Sequence, residues 1–149
     1  MIAEALPDQS YAAYRARLDL LLDIPQTASD MDIHIQISRG FPATKLMSMA
    51  VDGVVTTFER DQIIPLRTLK FRIERGQPLT VEESDRLFKS AHILSMAQAV
   101  FGDPDKARRW LNKPKSRFAG HTPMQMLTTQ HGTTQVEEML LQITEGYGL

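Results

Sequence analysis

The chain contains no cysteine. That excludes a disulfide framework, a thiolate zinc site and thiol catalysis, and it fits a reducing compartment. No stretch approaches the roughly 18 apolar residues of a membrane-spanning helix. The opening MIAEALPDQS has neither the basic head nor the apolar run of a secretory signal, so the chain reads as cytoplasmic with no membrane partner. Catalytic signatures are missing as well. His34, His92, His121 and His131 form no i, i+4 pair and no HExxH metal motif. There is no glycine-rich phosphate loop and no nucleophile elbow, and Glu82 with Glu83 falls in a first helical turn, where acids stabilise the helix dipole. The expectation is a protein that is not an enzyme and holds no cofactor or metal.

What is present is a chain of 149 residues with 42% hydrophobic composition, enough for one core of ordinary size or two very small ones. The net charge of −1 hides a segregation along the sequence. Residues 1–32 carry Glu4, Asp8, Asp19, Asp23, Asp30 and Asp32 against Arg15 and Arg17. Two basic islands follow: Arg60, Arg67, Lys70, Arg72 and Arg75, and then Lys106, Arg108, Arg109, Lys113, Lys115 and Arg117. From Phe118 to Leu149 there is no lysine or arginine at all. Two basic islands in a near-neutral protein suggest two anionic or acidic partners; solvated helix faces are the plain alternative for either island alone.

The periodicity is helical. SYAAYRARLDLLL places Tyr14, Leu18, Leu21 and Leu22 on one face, and Pro25 ends that helix. DIHIQI is open between strand and helix, because Ile33, Ile35 and Ile37 alternate yet the stretch runs directly into RGFPATKL, a loop-to-helix start. Thr56 with Glu59 offers a capping box for a short helix ending near Ile64, after which Pro65 opens the basic helix LRTLKFRIER. Thr80 caps a long helix with Leu87, Phe88, Ala91, Leu94, Ala97 and Phe101 on its buried face, and Gly102 stops it. Asp103 and Pro104 start a helix that faces Ala107, Trp110 and Leu111 inward, with Trp110 in the core and its indole N–H near a polar edge. Thr122 and Pro123 repeat the device for Met124 to Thr128. A last helix buries Val136, Met139, Leu140 and Ile143 before Gly146. The eight methionines read as core filler, with Met124 and Met126 also suited to an adaptable interface.

Phe101-Gly102, Ala107, Trp110-Leu111, Pro114, Gly120, Pro123, Leu127, Gly132, Val136 and Leu140 together resemble the C-terminal toxin-binding domain of the Xre/MbcA/ParS antitoxins, in register from about Ala97 to Gly146. TLKFRIERGQPLTVEESDRL resembles the recognition helix and linker of the same family, and ISRGFPATKL its first helix end and GFP turn. Two departures stand out: Ile63-Ile64-Pro65 replaces the usual glycine of the turn, and Lys70-Phe71-Arg72 replaces paired arginines.

The resemblance implies an all-α protein: a helical dimerisation segment over 1–32, an Xre-like helix-turn-helix over 33–80 and a toxin-binding domain over 81–149. It implies an antitoxin of a type II system that neutralises a RES-domain, NAD-consuming toxin and represses its own operon as a homodimer. Arg67, Thr68, Lys70, Arg72 and Arg75 would then meet operator DNA, and Lys106, Arg109, Lys113 and Arg117 the toxin. The end of the chain, Tyr147-Gly148-Leu149, offers a ring and a carboxylate that mimic parts of a dinucleotide in the toxin's pocket; a frayed terminus is the equal alternative. The competing readings of the whole are a plain helix-turn-helix repressor whose C-terminal helices only dimerise, and an adaptor without DNA contact.

Overall fold

A computed structural model describes residues 1–146 of the chain. Its regular structure is helical: α1 (Asp8–Leu22), α2 (Asp30–Arg39), α3 (Ala43–Val51), α4 (Thr57–Ile63), α5 (Leu66–Glu74), α6 (Val81–Phe101), α7 (Pro104–Leu111) and α8 (Gln130–Thr144). Short 3-10 turns lie at Ile2–Ala5, Ser116–Phe118 and Met124–Thr128. Among the described residues the only β-type pairing is an isolated bridge between Pro42 and Pro78.

The chain packs as two compact units. One is Met1–Leu18 together with the residues from Lys89 onward; the other is Asp19–Phe88. In the second unit, DIHIQI is helical as part of α2. Ser29 accepts a hydrogen bond from the Asp32 N–H at 3.1 Å, and the Asp32 carboxylate accepts from the Ser29 N–H at 2.9 Å, a reciprocal cap that satisfies two otherwise orphaned donors. That bond holds the Asp32 carboxyl below its ordinary value. Gly40 follows α2 at φ +87, and a Cβ there would collide with the Leu79 carbonyl, so the GFP turn needs its glycine. Beyond it, the Leu79 N–H donates to the Phe41 carbonyl at 2.9 Å, and the Phe41 N–H donates to the Ser84 hydroxyl at 3.0 Å, which ties the turn to the start of α6.

Helices α4 and α5 are joined by Ile64 and Pro65 alone. Ile64 is extended (φ −161, ψ 139) and Pro65 has φ −61, ψ 143, so no left-handed residue is needed where a glycine is usual. Ile63 and Ile64 are both buried, and Arg86 Nε donates to the Ile63 carbonyl at 3.0 Å while Arg60 Nη1 donates to the Ile64 carbonyl at 2.9 Å. Side-chain donors thus replace the helix bonds that this abrupt turn forfeits.

In the other unit, the residues of α6 from Ser90 to Ala97 are buried all round rather than along one stripe. The expected core positions Leu87, Ala91, Leu94 and Ala97 are buried, whereas Phe88 and Phe101 are only half-buried. Burial on every side requires partners for the polar groups inside. His92 finds them in the Tyr14 hydroxyl, 2.6 Å from Nδ1, and in the Glu137 carboxylate, 2.7 Å from Nε2. Both ring nitrogens of His92 thus have a hydrogen-bond partner. This chain of bonds joins α1, α6 and α8 within the unit. Gly132 in α8 has the same kind of necessity as Gly40: a Cβ there would meet the Met126 carbonyl. Thr122 and Gln125 cap each other reciprocally, but Met124–Thr128 forms a 3-10 turn rather than an α-helix. Val136, Met139 and Leu140 are buried; Ile143 is half-buried.

Candidate functional site

Each unit carries one basic surface. On α5 the buried residue is Leu69, and the i, i+3, i+4 stripe Arg67, Lys70, Phe71 and Glu74 faces solvent, with Arg75 beside it at the C-cap. Thr68 is half-buried on the flank. Arg67 and Lys70 make no ion pair among the described residues. Arg75 lies with its guanidinium carbon 4.4 Å from the Phe71 ring centroid, and Phe71 itself is 45% exposed. A basic face with an uncovered aromatic ring at its centre suits a polyanion with flat, apolar elements.

Arg72 is placed differently from its neighbours. Its guanidinium grips Glu83 bidentately, Nε at 2.9 Å and Nη2 at 3.0 Å, and its side chain is half-buried. Glu83 also accepts from the Thr80 N–H at 2.8 Å and donates its own N–H to the Thr80 hydroxyl at 3.1 Å, so the capping residue of α6 is the residue that anchors α5. Donating to the Glu83 carboxylate raises the Arg72 pKa. Burial pushes the Glu83 carboxyl upward, but the hydrogen bonds and charge of Arg72 and the Thr80 N–H outweigh it and leave the carboxyl below its ordinary 4.5. A folded-state pKa below the unfolded one means stability that is complete above about pH 4.5 and lost as pH falls through the folded value. Glu83→Gln is therefore expected to cost on the order of 1–3 kcal/mol at pH 7 and to flatten the fall in stability on acidification. Urea midpoints at pH 7 and pH 3.5 check this; a parallel loss in parent and variant would count against the pairing.

The second surface surrounds Trp110, which is 9% exposed and buried with Ala107 and Leu111 on the inner face of α7, as their spacing predicts. Asp103 caps this helix through the Asp105 N–H at 3.0 Å. The Trp110 indole N–H is buried with no hydrogen-bond acceptor among the described residues. Its ring centroid is 5.6 Å from that of Phe101, tilted by 49°. Lys106, Arg109 and Lys113 are exposed, whereas Arg117 is held by Gln142, with Nη1 donating to Oε1 at 2.8 Å. Lys115, which the sequence does not single out, lies 4.8 Å above the Trp110 ring. Tyr147, Gly148 and Leu149 lie outside the described residues.

No group of three or more His, Asp or Glu able to hold a metal ion occurs among the described residues, and no described helix is long and apolar enough to cross a membrane.

Residues 96–146 match the family model described as the antitoxin Xre/MbcA/ParS C-terminal toxin-binding domain. Across all 149 residues the chain is 70% identical to the protein named antitoxin Xre of Pseudomonas putida, covering 94% of that protein. It is also 30% identical over 128 residues to the antitoxin Xre of Photorhabdus laumondii, a match that spans 80% of this chain and 83% of the relative. A third similarity, 29% over 84 residues, is to the antitoxin Xre of Yersinia enterocolitica.

Proposed function

This chain belongs to the Xre antitoxin family and is not an enzyme, and from that premise we propose that it neutralises a RES-domain, NAD-consuming toxin and represses its own operon as a homodimer. The observation that carries the toxin half is the coincidence of the matched toxin-binding domain, residues 96–146, with the exposed basic surface around Trp110. Lys106, Arg109 and Lys113 on that surface supply orientation and affinity, with Arg117 at its margin braced by Gln142. Tyr147-Gly148-Leu149 supplies the block, with the Tyr147 ring entering the toxin's dinucleotide pocket.

The operator half rests on α5. Arg67, Thr68, Lys70 and Arg75 sit on or beside its exposed stripe and meet the major groove and its phosphates, while Arg72, held by Glu83, sets the angle at which the helix is presented. Functionally the chain divides at 33–80 for DNA and 81–149 for toxin. The acidic segment 1–32 contributes to the dimer; Leu20 and Met31 within it are 66% and 64% exposed, apolar surface that a second copy would cover.

Co-expression with the RES-domain protein tests the proposal. Gel filtration is expected to return one stable complex, and promoter DNA to shift with the chain alone. Deleting Tyr147 to Leu149 is expected to preserve the complex while restoring NAD consumption within it; a truncated chain that still inhibits fully would show that the domain covers the toxin's active site unaided.

A further inference from the structure

The basic island around α7 is organised in a way its composition does not reveal. Lys106 Nζ stands 5.8 Å from the Phe101 ring centroid and Lys115 Nζ stands 4.8 Å from that of Trp110. With the two rings 5.6 Å apart, the result is a continuous lysine–phenylalanine–tryptophan–lysine ribbon. Arg109 and Lys113 flank it. None of Lys106, Arg109, Lys113 and Lys115 has a carboxylate partner among the described residues. Lys45, Arg60 and Arg72, by contrast, are committed to Asp23 at 2.6 Å, to Asp61 at 2.7 Å and to Glu83.

We infer that this ribbon docks a carboxylate-bearing surface of the toxin, its two lysines resting on aromatic rings until that surface arrives. The inference rests on the toxin partner proposed above and specifies the chemistry of the contact. A lysine held over a ring is already ordered, so less side-chain entropy is lost when it moves to a carboxylate, and no internal ion pair has to be broken first. Lys115 has the most to gain. Burial, and then the neighbouring Lys113 charge, lowers its pKa, so its ammonium is under-solvated and an added carboxylate would relieve it. A protein acid is favoured over a DNA phosphate because the ribbon's floor is apolar and nearly dry, whereas the phosphate-facing stripe of α5 is solvated. Arg117, with Nη1 bonded to Gln142, lies at the margin of the ribbon.

The test uses the full chain and the RES-domain toxin, purified separately, with dissociation followed by surface plasmon resonance at two salt concentrations. Lys113→Gln with Lys115→Gln is expected to weaken the complex about tenfold or more, about 1.4 kcal/mol, and to reduce its salt dependence. Melting and promoter binding should be unchanged. Lys115→Arg, which keeps the charge and the stacking, is expected to retain most of the affinity, and the control Arg39→Gln all of it. Parent-like toxin binding by the double variant overturns the inference, as does a loss confined to promoter DNA, or equal losses for Lys115→Arg and Lys115→Gln. A parent chain that binds no RES-domain protein overturns the toxin reading itself, and this contact with it.

Discussion

Replacing Trp110 with alanine is expected to lower the stability of the free chain by about 3–5 kcal/mol, the usual cost of emptying a buried tryptophan site. In a chain of this size that corresponds to a fall in melting temperature of roughly 6–20 °C. The size of the effect follows from the packing. Trp110 is 9% exposed, its neighbours Ala107 and Leu111 are buried with it, and Phe101 and Lys115 close the ring from two sides. Truncation leaves a void that α7, only eight residues long, has few contacts to close by moving. The buried indole N–H without an acceptor makes the loss slightly smaller than for a satisfied tryptophan, because alanine also removes that cost. Calorimetric scans of parent and variant decide the matter; an unchanged melting temperature would mean the ring is dispensable to the core.

Neutralising Arg67 and Lys70 together, as Arg67→Gln and Lys70→Gln, is expected to weaken promoter binding at least about tenfold and to lower the slope of log affinity against log salt by about two units per half-site. These two side chains lie on the exposed stripe of α5, one turn apart, and form no internal ion pair among the described residues. Arg72 is expected to behave differently. Because its guanidinium is bonded to Glu83, Arg72→Gln should weaken binding with little change in salt slope, through a loosened α5, and should cost stability that the Arg67 and Lys70 changes do not. Half-sites would lie about one helical turn, ~34 Å, apart. Electrophoretic mobility shifts across a salt series separate the two behaviours; full-strength promoter retention by the Arg67/Lys70 variant would remove α5 from the DNA interface.

How much of this was readable from the residues alone depended on the range of the interaction. Helix starts are local, and Asp103-Pro104 and Thr80 announce theirs within four residues. Ala107, Trp110 and Leu111 likewise declare an inner face by spacing. DIHIQI misleads because alternate isoleucines mimic a strand, yet Ser29 and Asp32, three apart, already carried the helix signal, and Ile35 is exposed where a strand face would be buried. The all-round burial of α6 was hidden by Ser90, His92 and Ser95, which look like solvent-facing residues until a partner is found for the imidazole. Those partners stand 78 and 45 residues away in sequence, beyond any periodicity. The Arg72–Glu83 pair is separated by only 11 residues, but it crosses a loop, and charge counting along the chain assigns Arg72 to solvent. Lys115 escaped for a similar reason: its role comes from the ring beneath it, not from its position in a helix.

The central claim, that the chain silences a NAD-consuming RES-domain toxin by direct contact, is tested most directly by following NAD in a mixture of the purified toxin and the purified chain. Consumption is expected to fall in proportion to the chain added and to stop once all the toxin is bound. Steady NAD consumption at saturating chain, with no complex on gel filtration, would contradict it.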